Sequence, residues 1–460
     1  MKLLQSITLY LSSIVLLHAE RPNILFIFAD DMAFETVRAN GRLDIDTPNL
    51  DRLVAEGTNF TRSYNMGAWG GAVCVASRSM LVTGQSVWNA QDAVKSASTN
   101  KQLWPQLLQN AGYDTYISGK WHVPTSAPNA FKYSKNIRAG MPRPIGGYNR
   151  PLSPKDYETG WKPWDKSKEG FWIGGKHWSE VLADDTIGFL ESAGKNDTPF
   201  FMYIAFNAPH DPRQSPKEYI DKYPLDRIEL PKTFQPKHPK LDKMCGMIRD
   251  EKTMPFPRTE YAVKVNRQEY FALVTHMDDQ IGRILDALEA SGKADNTIIV
   301  FTADHGLAVG HHGLAGKQNM YEHSLTVPFI VTGPNIPKGK TIDTPIYLQD
   351  VMPTTLDWAG VEQNNVFFKS LTPLIHQANP TAPYSEIYGA YMNNQRAIIK
   401  GDWKLIHLPK AQAYELYNIK QDPYEATNLI DQAEYKDKIS HLKKDLKALQ
   451  MKMNDPLAKK

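Results

Sequence analysis

The sequence predicts a doubly wound α/β fold with a mostly parallel sheet, followed by a smaller subdomain of antiparallel strands and one helix. Three observations predict it. First, Ile24-Leu25-Phe26-Ile27-Phe28 is an unbroken apolar run, as expected of a strand covered on both faces. Second, similar runs at 115–118, 200–206, 297–302 and 329–332 alternate with helical spacing. That spacing is clearest in Val274, Met277, Ile281, Ile284, Leu285 and Leu288, before Gly292. Third, after about residue 372 the pattern changes to short alternating runs such as Arg396-Ala397-Ile398-Ile399, Trp403-Lys404-Leu405-Ile406 and Tyr414-Glu415-Leu416-Tyr417.

In chain order, Lys2 and the apolar run Leu3 to Leu17 end in Leu17-His18-Ala19, which reads as a secretory signal peptide over residues 1–19. The protein is therefore expected to be exported, periplasmic or secreted, and no later segment has the length and apolarity of a membrane span. Thr47-Pro48 opens a helix with Leu50, Leu53 and Val54 on its apolar stripe, closed by Gly57. Residues 123–178 are rich in Trp, Tyr, Pro, Gly and basic residues, including Arg138, Arg143, Tyr148, Arg150, Trp161, Trp164, Trp172 and Trp178. Residues 211–266 are rich in Pro and Lys. Both are too long for simple connections and are expected to be ordered insertions around a site. A polar amphipathic helix is expected from about Asp431 to Met451. The expected division is a catalytic unit at 20–372 and a subdomain at 373–460.

The 460 residues, 42% apolar and 22% charged, fit a globular enzyme with one large unit and one small one. A net charge of +3 argues against nucleic acid as a partner. Only two cysteines are present, Cys74 and Cys245. In an exported protein they could form one disulfide; if Cys74 is chemically modified, Cys245 is instead expected to be a buried thiol.

Ligands of a doubly wound sheet collect beyond the carboxyl ends of its strands. Asp30-Asp31 follows the first strand, Gly119-Lys120-Trp121-His122 the second, Pro209-His210 the third and Asp304-His305-Gly306 the fourth. Residues remote in sequence are thereby expected to meet at one sheet edge. Asp30, Asp31, Asp304 and His305, together with Cys74, form a donor set suited to Ca²⁺, with Mg²⁺ as the alternative.

Cys74-Val75-Ala76-Ser77-Arg78, with Ser79-Met80-Leu81-Val82-Thr83-Gly84 after it, resembles the Cys-x-Pro/Ala-Ser-Arg motif of type I sulfatases, of the alkaline-phosphatase-like superfamily. In that family a maturation enzyme, formylglycine-generating or sulfatase-maturating, oxidises the cysteine to 3-oxoalanine (formylglycine). The resemblance implies divalent-cation binding by Asp30, Asp31, Asp304 and His305. It also implies contacts to formylglycine and sulfate from Arg78, Lys120, His122, His210 and Lys317. Gly316-Lys317-Gln318-Asn319-Met320-Tyr321-Glu322-His323 resembles the family's Gly-Lys segment. Gly401-Asp402-Trp403-Lys404-Leu405, Glu415-Leu416-Tyr417-Asn418 and Asp422-Pro423 resemble its second domain. Three positions depart from the pattern: Ala76 replaces the commoner proline, His305 a common asparagine, and Thr326 an arginine before Val327-Pro328, which loosens an expected salt bridge.

A sulfate ester is an anion with a poor leaving group. Arg78, Lys120 and Lys317 are expected to stabilise its non-bridging oxygens. His210 is expected to protonate the leaving oxygen, and His122 to assist the hydroxyl whose deprotonation expels sulfate. The segments Tyr64-Asn65-Met66-Gly67-Ala68-Trp69-Gly70 and His210-Asp211-Pro212-Arg213-Gln214-Ser215-Pro216 resemble those of exported bacterial sulfatases that act on sulfated polysaccharides. Lys120, His210, Arg213 and Lys317 are the expected substrate contacts. The alternatives are a phosphodiester or phosphonate-ester hydrolase of the same superfamily, and a glycan-binding protein without catalysis; the complete set of catalytic positions disfavours the latter.

Overall fold

The computed structural model describes residues 21–138, 140, 153–158, 160–167 and 172–458. The expected signal peptide, Arg143, Tyr148 and Arg150 lie outside these residues. The central sheet has eight strands in the order Lys340–Ile342, Thr58–Phe60, Phe329–Thr332, Thr297–Ala303, Asn23–Asp30, Phe200–Pro209, Asp114–Lys120 and Tyr133–Arg138. Five neighbouring strands, from Thr297–Ala303 to Tyr133–Arg138, run parallel. Phe329–Thr332 is antiparallel to Thr297–Ala303. The Asn23–Asp30 strand is buried along its whole length inside this parallel block, between Thr297–Ala303 and Phe200–Pro209, which is why its sequence does not alternate.

Helices Pro48–Glu56, Trp178–Ala193 and Glu260–Ala290 cover the sheet. The last is longer than its apolar stripe suggested, so residues 260–266 belong to a core helix and not to an insertion. Residues 123–178 also need correction. Their Tyr133–Arg138 segment is a strand of the central sheet, at its edge. Its residues are exposed or half-buried and mostly polar, so no apolar run announces it.

The smaller sheet has five strands: Ala413–Asn418, Trp403–Leu408, Gln395–Lys400, Ile387–Tyr391 and Gly67–Ala68. The first four pair antiparallel. Gly67–Ala68 adds in parallel beside Ile387–Tyr391, so this sheet draws on residues from both ends of the chain. Gly67 has a φ of 91°, and a Cβ there would collide with the Ala390 carbonyl, so glycine permits the pairing. Helix Lys436–Lys452 buries Ile439, Leu442, Leu446 and Leu449 against this unit. No helix of the described residues is long and apolar enough to cross a membrane.

Candidate active site

Helix Val73–Thr83 carries Cys74 in its first turn and Arg78 one turn later, so the four-residue spacing puts both on one face. Gly84 ends the helix in the left-handed conformation, φ 66°, with its N–H donating to the Met80 carbonyl. The Cys-to-Gly string thus encodes one buried helix with its own stop.

The helix N-terminus points Cys74 at the carboxyl ends of the parallel strands. The thiol donates to Asp30 Oδ1 at 3.3 Å and lies 3.6 Å from Asp31 Oδ1. Lys317 Nζ donates to Cys74 Sγ at 3.0 Å and to both Asp31 oxygens at 2.5 and 2.6 Å. Lys120 Nζ donates to Asp30 Oδ2. Arg78 Nε donates to Asp304 Oδ2 at 2.8 Å, and Arg78 Nη1 to the Lys120 carbonyl at 2.7 Å. Asp304 Oδ1 accepts from the Asp31 N–H at 3.1 Å. Asp31 holds a φ of 65°, braced by Tyr270, whose hydroxyl donates to the Asp31 carbonyl at 2.6 Å.

Electrostatics follow from burial. Desolvation raises Asp30, reinforced by Asp304 against the pull of Lys120 and Arg78. It pushes Asp31 up to about 8, against Lys317. Asp304 is buried as well, but Arg78, Lys120 and Lys317 outweigh that cost and hold it well below the carboxylate range. Burial, then Asp30 and Asp304, drive the Cys74 thiol well above its ordinary value.

His210 sits between two cis prolyl bonds, Ala208–Pro209 and Asp211–Pro212. Its Nδ1 donates to the Asp211 carbonyl at 2.7 Å, which leaves Nε2 facing Asp31 Oδ2 at 3.5 Å. Burial, then Lys317, lowers it well below an ordinary histidine. His122 has a φ of 49°, a buried Nδ1 without a hydrogen-bond partner among the described residues, and Gly140 close against its ring. Burial, then Lys120, pushes it down to about 3. His305 is buried, Nδ1 bonded to the Gly306 carbonyl at 3.0 Å, and burial lowers it to about 4.

Asp30, Asp31, Cys74 and His210 offer ligand atoms that all lie within 4.8 Å of one another. Asp304 and Arg78 join this group through the contacts above. Arg213 is 2% exposed, and its Nη2 donates to Asn266 Oδ1 of helix Glu260–Ala290 at 3.0 Å. Both cysteines are free thiols, and Cys245 is half-buried where a buried thiol was expected. The donor set fits a hard divalent cation. Three buried carboxylates converge there, and burial lifts two of them despite the cations beside them, so a divalent ion would find several oxygen donors in one place.

Sequence reasoning missed Asp250 and Glu251. Glu251 accepts the N–H groups of Ala315 at 3.0 Å and Gly316 at 2.9 Å, immediately before Lys317. Asp250 accepts from Gln318 Nε2 at 2.7 Å, immediately after it. Nothing in a Pro- and Lys-rich segment signals these contacts.

This sheet, with a buried helix-borne residue set among acids and cations at its carboxyl edge, defines an alkaline-phosphatase-like hydrolase. The Sulfatase family matches residues 22–361, and the family described as N-sulphoglucosamine sulphohydrolase, C-terminal, matches 310–452. The chain belongs to the sulfatase family and is a sulfuric ester hydrolase. It is 30% identical to an N-acetylglucosamine-6-O-sulfatase of Bacteroides thetaiotaomicron, over 95% of this chain and 88% of that protein. It is 29% identical to an arylsulfatase of Clostridium perfringens, over 93% and 94% respectively. A structure solved with its substrate D-glucosamine-2-N,6-O-disulfate superposes with a TM-score of 0.74 at 25% identity, over 95% of this chain and 99% of that one.

Proposed function

We propose that this sulfatase desulfates a sulfated polysaccharide or oligosaccharide after export, using a formylglycine made from Cys74 and one divalent ion, Ca²⁺ before Mg²⁺. The observation that carries the reading is the setting of Cys74. Its sulfur faces two carboxylates at 3.3 and 3.6 Å, surroundings that keep a thiol protonated and therefore a poor nucleophile. Conversion to formylglycine supplies a hydrated aldehyde with one hydroxyl to attack sulfur and a second to lose its proton as sulfate departs. Asp30, Asp31, Asp304 and His305 would hold the ion, which when bound would favour ionisation of a hydroxyl beside it.

The chain's own side chains do the rest. Lys317, Lys120 and Arg78 stabilise charge on the non-bridging oxygens from positions already fixed by Asp31, Asp30 and Asp304. His210 protonates the leaving oxygen through Nε2, whose orientation is set by Nδ1 on the Asp211 carbonyl. An anionic ester against the ring offsets the nearby lysines and raises its proton affinity. His122, held neutral, is suited to take the proton from the second hydroxyl. Arg213, whose side chain also bonds the long helix that carries Tyr270, is the further substrate contact beside Lys120, His210 and Lys317. The relatives named above favour a sulfated amino sugar as the first substrate to test. Residues 1–19 carry the proposal of export.

Protein made alongside a maturation enzyme should show the Cys74 peptide lighter by ~18 Da, the difference between a thiol and an aldehyde side chain. That protein should release sulfate from an aryl sulfate and from defined sulfated glucosamines faster than it cleaves matched aryl phosphate and phosphonate esters. Chelation should stop turnover and Ca²⁺ should restore it. Unmodified Cys74 in active enzyme, or a preference for the phosphonate, overturns the reading.

A further inference from the structure

The segment Arg249-Asp250-Glu251 lies in the 211–266 region, remote in sequence from every residue assigned a chemical role, yet it touches both flanks of the Cys74 pocket. On one side, Glu251 is 1% exposed and its carboxylate takes the two successive N–H groups that precede Lys317. Buried Arg258 completes the group: Nη2 donates to Glu251 Oε2 and Nε to the Gly313 carbonyl at 3.1 Å. Asp250 Oδ2 receives Gln318 Nε2 at 2.7 Å, while Gln318 Oε1 accepts the Lys317 N–H at 3.1 Å. The backbone around Lys317 is therefore held on both sides of the residue by this one segment.

On the other side, Arg249 Nε donates to Asp250 Oδ1 at 2.7 Å, and Nη2 approaches Asp211 Oδ2 at 3.8 Å. Asp211 is the residue whose carbonyl orients His210. Packing at Gly316 leaves little slack, since a Cβ there would lie 2.9 Å from Asp250 Cβ and 3.1 Å from Glu251 Oε1. A long side chain such as Lys317 gains a fixed ammonium position only if its backbone is fixed, and misplacement of about 1 Å can cost 10²-fold in rate.

We propose that Arg249-Asp250-Glu251 is a positioning bridge that sets Lys317 relative to His210, with Glu251 acting through Lys317 as its principal member. This rests on the reading of Lys317 as a sulfate-stabilising group. The bridge predicts coupling in a double-mutant cycle. In matured enzyme assayed on 4-nitrophenyl sulfate, Glu251→Gln should lower kcat about tenfold with KM changed less than about twofold. In the Lys317→Ala background the same substitution should cost less than about twofold, because the group it positions is gone. Glu251→Asp, which keeps the charge, should recover part of the loss. Should Glu251→Gln fail to fold, Asp250→Asn is read through the same cycle, since it weakens only the Gln318 and Arg249 contacts. If Lys317→Ala alone leaves kcat unchanged, the sulfate-stabilising reading of Lys317 fails and the bridge with it. If Lys317→Ala is slow but the second substitution costs its full factor in both backgrounds, the bridge alone is refuted and Glu251 is only structural.

Discussion

Two clusters of buried charge lie at the carboxyl edge of the central sheet and at its joint with the smaller sheet, and burial does not tell them apart. In the pocket, Lys120 and Lys317 are 1% and 3% exposed. At the joint, Lys404 is 0% exposed, within 3.0 Å of Glu322 and 2.8 Å of Glu425. Burial raises Glu425 to about 7 despite Lys404, while Glu322 stays low because Lys404 and Thr326 outweigh its desolvation. The difference lies in where the charges point. At the joint, Lys404 and the two acids point at one another. In the pocket, Lys317, Asp30 and Asp31 all converge on a fourth group, the Cys74 sulfur. Convergence on one central atom, and not the density of buried charge, sets the pocket apart.

The sharpest way to break this comparison is to remove the atom at the centre. Cys74→Ala should reduce sulfate release by about 10⁴-fold or more, with the unfolding midpoint in urea unchanged, since only a small side chain is lost at position 74. A retained rate on aryl and sugar sulfates alike would end the claim that the charges are arranged around position 74.

The joint should respond in the opposite way. Lys404→Met strips the cation that pairs directly with both Glu322 and Glu425 and leaves two carboxylates facing each other, a change that costs about 3–5 kcal/mol for a buried pair. Turnover per folded molecule should stay within about threefold of the parent. Equilibrium urea unfolding and active-site-titrated kcat check both halves. A large loss of kcat without loss of stability would show that the joint belongs to the site.

Within the pocket, Lys317→Ala should slow aryl and sugar sulfates by similar factors, on the order of 10²-fold, because it removes charge stabilisation common to both. His210→Ala should hurt sugar sulfates far more than a nitrophenyl sulfate, whose leaving group hardly needs a proton. Equal losses for His210→Ala on both esters would reduce that histidine to a positioning role.

What the sequence disclosed follows the same division. The parallel strands were legible because burial on both faces leaves unbroken apolar runs, and the polar residues at their ends could be placed together from topology alone. Cys74 and Arg78 were legible from their motif string, but the helix that puts them on one face was not. Edge elements were not: Tyr133–Arg138 is too polar, and Gly67–Ala68 is two residues long with no pattern to detect. The Thr326 departure pointed to a loosened salt bridge. The structure shows Thr326 Oγ1 donating to Glu322 Oε2 at 2.8 Å, with Lys404 supplying the charge from the second sheet. Alternation predicted the Lys404 strand but could not say that its lysine faces an acid some eighty residues earlier. Glu251 was invisible for a related reason, since its partners are backbone N–H groups that any residue could offer.

The smallest effect tests whether ion pairs beside the joint are as self-satisfied as they look. Glu35 pairs with His311 at 3.1 Å and Arg267 at 3.9 Å, and it lines the same small cavity as Glu322 and His323. Burial alone would raise its carboxyl, but His311, then Arg267 and Arg42, bring it down to about 2 from 4.5. A depressed acid stabilises the fold above its unfolded pKa and loses that contribution as pH falls toward its folded value. The window is therefore pH 4.5 down to 2. At pH 3.5 roughly 1 kcal/mol of it should already be gone. Glu35→Gln cannot titrate, so the stability gap between parent and variant should shrink by about that amount between pH 6 and pH 3.5, read from urea unfolding at each pH. A gap that stays constant over that range would mean that Glu35 is not held ionised by its partners, and the contrast between a satisfied joint and a poised pocket would lose one of its supports.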